Sequence, residues 1–138
     1  MMKVKNIVEL KSNFSFEAPI VSAEKIKGVS KSNGKLIDLN NFLAPIAKEF
    51  FLVRVTGESM INESIFSGDL LIVKRNEQPK DGKIVIAALN GEMAVKIYRE
   101  MEDGVYLFSA NDKFLPIAIK PFWNFEIQGV VKHIIHNV

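Results

Sequence analysis

The stretch IVIAALNGEMAVKIY, residues 84–98, contains two apolar, strand-like runs separated by Asn90-Gly91. Asn-Gly is the dipeptide that best suits the two-residue turn of a β-hairpin, because both of its residues tolerate a positive φ. We therefore predict a hairpin. Since side chains alternate between the two faces of a strand, Lys96 shares a face with Ala94 and Tyr98. This lysine has a small and an aromatic neighbour, so its surroundings permit burial.

Other runs of the same kind lie on both sides of the hairpin, with Gly-containing turns between them. They cover residues 50–55, 70–74, 105–108 and 125–135. Together with the two hairpin strands they predict a mostly β domain over residues 37–138. At its start, residues 36–43 indicate a short helix capped by Asp38 or Asn40. Residues 1–36 are polar and loop-like around residues 30–35 and are interpreted as an N-terminal arm.

Composition bounds the function without identifying it. The chain has 138 residues, 48% hydrophobic and 25% charged, and a formal net charge of +2. This charge is too small to predict binding to nucleic acid or to an acidic membrane. Neither a secretory signal nor the roughly 20 apolar residues of a membrane span is found, so we expect a cytoplasmic protein. The chain has no cysteine, which excludes disulfides and thiolate metal sites.

The candidate chemistry lies in the stretch VTGESM, residues 55–60, and in Lys96. A serine hydroxyl needs a proton acceptor within reach to act as a nucleophile, and a neutral lysine can serve. Ser59 follows Gly57, where a turn can expose the hydroxyl and aim the backbone N–H groups of Glu58 and Ser59 at a developing oxyanion. Ser59 and Lys96 are therefore the predicted nucleophile and base, although their spacing by itself is weak support.

The surrounding pattern resembles the self-cleaving serine peptidase family that contains LexA, phage repressors and UmuD. The resemblance rests on residues 57–60, 67–73, 82–87, 91–92 and 95–96, supported by residues 37–40 and 129–131. UmuD-like members are the most similar. The resemblance implies a strongly bent β-sheet or partial barrel of the type that signal peptidases share, with Ser59 as nucleophile and Lys96 as general base.

The resemblance also implies a biological role. A UmuD-like protein cleaves its own arm when it meets RecA nucleoprotein filaments, as part of the SOS response to DNA damage. The trimmed homodimer then joins a UmuC-like polymerase in error-prone translesion synthesis. Such proteins lack a DNA-binding domain, so no direct sequence-specific DNA binding is expected, and neither a cofactor nor a metal is implied.

The cleavage junction departs from the family pattern. Family members are typically cut between Ala or Cys and Gly, and an ungapped alignment places Ala23 and Glu24 at that bond. A glutamate in the glycine position predicts slow or abolished cleavage, because its side chain must enter a narrow site. Lys27-Gly28 is the alternative bond. We prefer Ala23-Glu24, because the residues before it are small or apolar.

Two other classes of function stay open. One is a regulatory binding module whose cleavage junction has decayed. The other is the dimerisation and peptidase domain of a LexA-like or phage repressor without its DNA-binding domain. A signal peptidase is disfavoured because no membrane anchor is found. His133 and His136 are interpreted as polar positions of the last strand and not as metal ligands, and Asp69 as a turn-capping residue outside the dyad.

Overall fold

A computed structural model describes residues 2–9, 17–19 and 36–138 of the chain. The described residues form ten strands and one α-helix. In chain order these are β1 (Lys3–Glu9), β2 (Glu17–Pro19), β3 (Leu36–Asp38), α1 (Leu39–Leu43), β4 (Phe50–Thr56), β5 (Leu70–Arg75), β6 (Ile84–Leu89), β7 (Glu92–Met101), β8 (Gly104–Phe108), β9 (Ile117–Ala118) and β10 (Phe125–Ile135). The prediction of a mostly β fold is confirmed, and all six predicted strands are present.

The main sheet closes on itself as a barrel. Its strand order is β1-β4-β5-β10-β6-β7-β8-β9, and an additional pairing of β1 with β7 joins the two ends of a six-stranded segment. All of these pairings are antiparallel. Strands β8 and β9 extend the sheet beyond β7, and β2 and β3 form a separate two-stranded sheet. The expected partial barrel is therefore a closed one.

The predicted hairpin is confirmed at the turn between β6 and β7. Asn90 and Gly91 have φ values of 49° and 86°, so both central residues of the turn lie in the left-handed region. Leu89 pairs with Glu92 directly across the turn. This geometry matches the right-handed twist of the flanking strands, and it fixes the register that places Lys96 opposite Val85.

The predicted helix is shorter than its sequence pattern. Residues 36–38 form β3, and α1 begins only after Asp38, whose carboxylate accepts hydrogen bonds from the backbone amides of Asn40 and Asn41 at 3.0 and 3.3 Å. Of the two candidate caps, Asp38 is the one that caps the helix, because its oxygen satisfies amides that have no partner within the helix.

Two of the three apolar clusters among the described residues lie on opposite faces of the sheet. The main cluster fills the barrel and contains Met2, Phe51, Val53, Val55, Met60, Ile65, Leu71, Val73, Ile86, Val95 and Ala110. The second cluster contains Val85, Ala87, Tyr98, Leu107 and Val130, with Val105 and Ile117 packed against it. Neighbouring residues of β6 alternate between the two clusters, as the two-residue period of a strand requires. Strand β7 is therefore covered on both faces.

Strand β1 belongs to the segment that the sequence predicts as an arm. It pairs with β4 from Lys3 opposite Thr56 to Glu9 opposite Phe51, with a bulge between Val4 and Asn6. The boundary between arm and body stays a prediction, since residues 10–16 and 20–35 lie outside the described residues. Within the described ranges, no helix is long and apolar enough to cross a membrane.

Gly129 lies where β5 approaches β10 closely. A Cβ at this position of β10 would lie 2.4 Å from the carbonyl oxygen of Lys74 and 2.6 Å from Cγ1 of Val73. Real Cβ atoms do not approach backbone this closely, so a side chain here would push β10 away from β5. The register of β10 shifts next to this residue, between Ile127 and Gly129.

We therefore expect Gly129→Ala to lower the free energy of unfolding by about 2 kcal/mol, because overpacking a filled interior costs about 1–3 kcal/mol. Urea denaturation followed by circular dichroism measures the change. Gln128→Ala, at the adjacent half-buried position, is the matched control and should change stability by less than about 0.5 kcal/mol. Equal stability of the two variants would contradict the close approach.

Candidate active site

Ser59 lies in a turn just beyond the end of β4. The backbone leaves the strand at Gly57, whose φ of 111° lies in a region that L side chains rarely adopt. The turn continues into a short 3-10 helix, Ile61–Glu63. Met60 anchors the turn in the main cluster and is fully buried. The Ser59 side chain is also fully buried, which is unusual for a serine and requires a hydrogen-bond partner.

That partner is the backbone of Met2. The Met2 amide donates a hydrogen bond to Oγ of Ser59. The Met2 carbonyl in turn accepts a hydrogen bond from the backbone amide of Val95 at 3.2 Å. Met2 therefore lies between the Ser59 turn and β7, the strand that carries Lys96.

Lys96 is almost completely buried, with 2% of its surface exposed. Its Nζ donates a hydrogen bond to Oγ of Ser109 at 2.7 Å. Burial lowers the pKa of Lys96 below its usual range, because the ammonium loses hydration. In the described part of the chain, no carboxylate forms an ion pair with it to offset this effect.

The surroundings of Lys96 form a small apolar cleft. Its volume is about 50 Å³, and it is lined by Ala87, Leu89, Glu92, Ala94, Lys96, Leu107 and Ile117. Ala94 lies on the same face of β7 as Lys96, as the alternation of the strand predicts. A small side chain at that position leaves room beside the lysine.

The segment after β8 links the two candidate residues. Ser109 bonds to Lys96, whereas the two following residues bond to the Ser59 turn. The Ala110 amide donates to Sδ of Met60 at 3.4 Å, and Nδ2 of Asn111 donates to the carbonyl of Glu58 at 2.9 Å. The structure thus gathers residues 58–60, 96 and 109–111 in one region, with Ser59 and Lys96 hydrogen-bonded to different partners.

Sequence reasoning missed Ser109 and Asn111. Ser109 directly follows the run of residues 105–108, which was recognised as a strand, but a serine at a strand end is ordinarily a turn residue. The β7–β8 register places Ile97 opposite Phe108, which brings Ser109 next to Lys96. Only this pairing, which the sequence does not reveal, distinguishes it from the other serines.

The candidate oxyanion donors, the amides of Glu58 and Ser59, are free within the described part of the chain. The backbone N–H groups of Glu58 and Ser59 have no acceptor among residues 2–9, 17–19 and 36–138. The carbonyl of Glu58, by contrast, accepts bonds from Asn111 and from the Ile61 amide, the latter at 3.3 Å. These contacts hold the peptide plane of the turn in place.

Asp69 lies in the turn before β5. Its Oδ2 accepts a hydrogen bond from the Phe66 amide at 2.9 Å, which confirms the predicted turn-capping role. Its Oδ1 lies 2.8 Å from Nδ1 of His136, and His133 lies beside the ring of Phe42 with a centroid separation of 6.2 Å. No group of three or more potential metal ligands occurs in the described residues.

The predicted cleavage junction, Ala23-Glu24, and the alternative Lys27-Gly28 both lie outside the described residues. The structure therefore gives the position of the predicted nucleophile and base but not that of the bond to be cut.

Known proteins with similar sequences include LexA repressors. The LexA repressor of Mannheimia succiniciproducens is 36% identical over 86% of this chain and 53% of its own length, and that of Pasteurella multocida is 36% identical over 86% and 54%. LexA repressor 2 of Pseudomonas syringae pv. tomato is 42% identical over 58% of this chain and 40% of its own length. The chain thus spans about half the length of these relatives.

The family comparison covers most of the chain, since residues 11–132 match the family described as Peptidase S24-like. This match and the LexA relatives confirm the resemblance drawn from residues 57–60 and 95–96. The chain belongs to the Peptidase S24-like family, as its resemblance to LexA-type proteins indicates.

Proposed function

We propose that this protein cleaves its own N-terminal region with Ser59 as nucleophile and Lys96 as general base. The observation that carries the proposal is the burial of Lys96 without a carboxylate partner among the described residues. Most lysines are solvated and protonated, and a protonated lysine cannot accept a proton. Burial lowers the pKa of Lys96, so a larger fraction is neutral near neutral pH.

The chemistry then follows in four steps. Neutral Lys96 takes the proton of the Ser59 hydroxyl as Oγ attacks the scissile carbonyl carbon. The amides of Glu58 and Ser59 hold the negative oxygen of the tetrahedral intermediate. Lys96 returns the proton to the leaving amine, and the C–N bond breaks to give an acyl-enzyme on Ser59. Water, deprotonated by Lys96, attacks the acyl carbon; the bond to Oγ breaks, and Lys96 returns the proton to Ser59.

Ser109 acts as a positioning residue in this scheme. Its hydroxyl oxygen accepts a hydrogen bond from Nζ of Lys96 and so fixes the direction of the amine lone pair. A lysine side chain is flexible, and a hydrogen bond that holds it in one conformation keeps the amine oriented for proton transfer. Asn111 positions the turn that carries the oxyanion donors, because its Nδ2 donates a hydrogen bond to the carbonyl of Glu58.

The substrate bond is Ala23-Glu24 in this proposal, and the protein acts in the cytoplasm. By the UmuD-like resemblance, contact with a RecA filament stimulates cleavage, and the trimmed homodimer joins a UmuC-like translesion polymerase. The second candidate is a LexA-like repressor, which the names of the relatives favour and which fits a chain that matches only about half of their length. In that case residues 1–36 link the peptidase domain to a DNA-binding domain.

The main test is intact-mass spectrometry of the protein incubated from neutral to alkaline pH. We expect a product that starts at Glu24. Its rate of formation should rise tenfold per pH unit below the lowered pKa of Lys96 and level off above that pKa, since only the neutral amine acts as base. Ser59→Ala and Lys96→Ala should each slow the reaction by at least about 1,000-fold.

The matched control for these variants is Lys113→Ala, which removes a solvent-exposed lysine and should leave the rate unchanged. If the intact mass persists at every pH and also after addition of RecA filaments, the self-cleavage proposal is wrong. The regulatory binding module would then be the better account of the fold.

Ser109→Ala tests the positioning of Lys96. Losing the acceptor for Nζ removes stabilisation of the ammonium, so the pH profile of self-cleavage should move to lower pH. The plateau rate should fall by about tenfold, because the amine is less well oriented. Ser109→Thr keeps the hydroxyl and should restore the profile. A slower rate with an unmoved profile would indicate a structural role only.

Glu24→Gly tests the scissile bond. A glycine removes the side chain that must otherwise enter the site, so we expect cleavage after Ala23 to accelerate by about tenfold. Lys25→Gly, one residue further along, is the control for added backbone flexibility. A product that starts at Gly28 in all variants would instead assign cleavage to Lys27-Gly28.

A further inference from the structure

The nucleophile is covered by the chain's own first strand. Met2 occupies the space in front of Ser59, with its amide on Oγ and its carbonyl on the Val95 amide. Lys3, the next residue, pairs with Ala94 on β7 and with Thr56 on β4. The backbone of residues 2–3 therefore runs as an extended strand through the gap between the serine turn and the lysine strand.

The Met2 side chain holds this segment in place. It is fully buried and packs in the main cluster, which also contains Val55, Met60 and Val95. These residues flank Ser59 and Lys96 on both sides of the gap. The gap thus contains an apolar pocket that takes an unbranched side chain, next to backbone groups that take an extended peptide. This combination is the usual way in which proteins bind peptides by strand addition.

The position of Met2 is incompatible with attack on another peptide bond. A scissile carbonyl carbon must come within about 3–3.5 Å of the nucleophilic oxygen before reaction. The Ser59 side chain has no exposed surface, and its Oγ already accepts a bond from Met2. Any second segment that reaches Ser59 must first displace Met2 from this gap.

We propose that the segment Met2–Glu9 is an intramolecular occupant of the peptide-binding gap, and that self-cleavage requires its release from Ser59. The proposal rests on the proposed role of Ser59 as nucleophile. The scissile segment is then a competitor for the site that β1 fills, and both are extended peptides of the same chain. Cleavage is controlled by the fraction of molecules in which β1 has left, because only that fraction can react.

The bulge and the polar residues of β1 suit such release. Lys3 and Lys5 are exposed, and the register shift between Val4 and Asn6 interrupts the pairing with β4 close to Met2. Strand β1 forms one register pair with β7, Lys3 with Ala94, compared with six register pairs with β4. The first residues can therefore leave the gap without separating the rest of β1 from β4.

Met2→Asp is designed to empty the gap. An aspartate in the main cluster would bury an unpaired charge, so the segment should leave Ser59. We expect Ser59 to react with a fluorophosphonate probe at least about tenfold faster than in the wild type, and self-cleavage at alkaline pH to accelerate in parallel. Lys5→Asp places the same charge at an exposed position of the same strand and should react like the wild type.

A reversible disulfide provides the opposite test and does not depend on the stability of Met2→Asp. Lys3→Cys combined with Ala94→Cys joins two paired residues, whose Cα separation in an antiparallel sheet suits a disulfide. The chain has no other cysteine. The oxidised protein should lose at least nine-tenths of the probe reactivity of Ser59, and reduction should restore it.

The outcomes separate this inference from the proposed function. Measurable and equal probe reactivity of the oxidised and reduced forms, or of a folded Met2→Asp variant and the wild type, would overturn the occupancy of the gap. A Ser59 that stays unreactive in the wild type, in the reduced form and in a folded Met2→Asp variant would overturn its role as nucleophile instead. Circular dichroism of each variant establishes the folded state on which both comparisons depend.

Discussion

The closure of the barrel by residues 2–3 is the constraint on which the rest of the structure depends. Strand β1 pairs with β4 along its length and meets β7 at Lys3 opposite Ala94. Without this segment, β4 and β7 would each present unpaired backbone groups beside the main cluster, and such edges are costly when buried. The same segment bonds to Ser59 through the Met2 amide and to Val95, the neighbour of Lys96, through the Met2 carbonyl. Closure of the fold and access to the candidate site are therefore two aspects of the same contact.

The second constraint is the burial of a lysine in the middle of a covered sheet. Lys96 pairs with Val85 on β6, and Leu107 of the neighbouring strand β8 lines the cleft beside it. An ammonium in such a place loses its hydration, whereas the neutral amine loses little. The hydroxyl of Ser109 satisfies one N–H of the amine without adding a charge. Burial, by removing hydration from the ammonium, thus favours the neutral form of the lysine, which can act as a base.

Local signals were sufficient for much of the fold. Asn90-Gly91 specified the hairpin, Asp38 and Asn40 gave two candidate starts of α1, and the apolar runs specified six of the strands, because each of these is determined by neighbours in sequence. Strand β1 was missed because its charged residues and its bulge between Val4 and Asn6 break the two-residue apolar period. Strands β2, β3 and β9 are only two or three residues long and exist through pairing with a partner. Ser109 was missed for a similar reason, since its role depends on the β7–β8 register.

The sequence by itself determined that this is a mostly β protein with a candidate serine and lysine, because residue type, spacing and family pattern are properties of the chain. The tertiary structure decided what surrounds them. Lys96 is buried and bonds to Ser109, which lies 13 positions away. Met2 contacts Ser59, which lies 57 positions away. Contacts over such separations follow from strand order and closure, and these depend on the packing of the whole barrel rather than on any local preference.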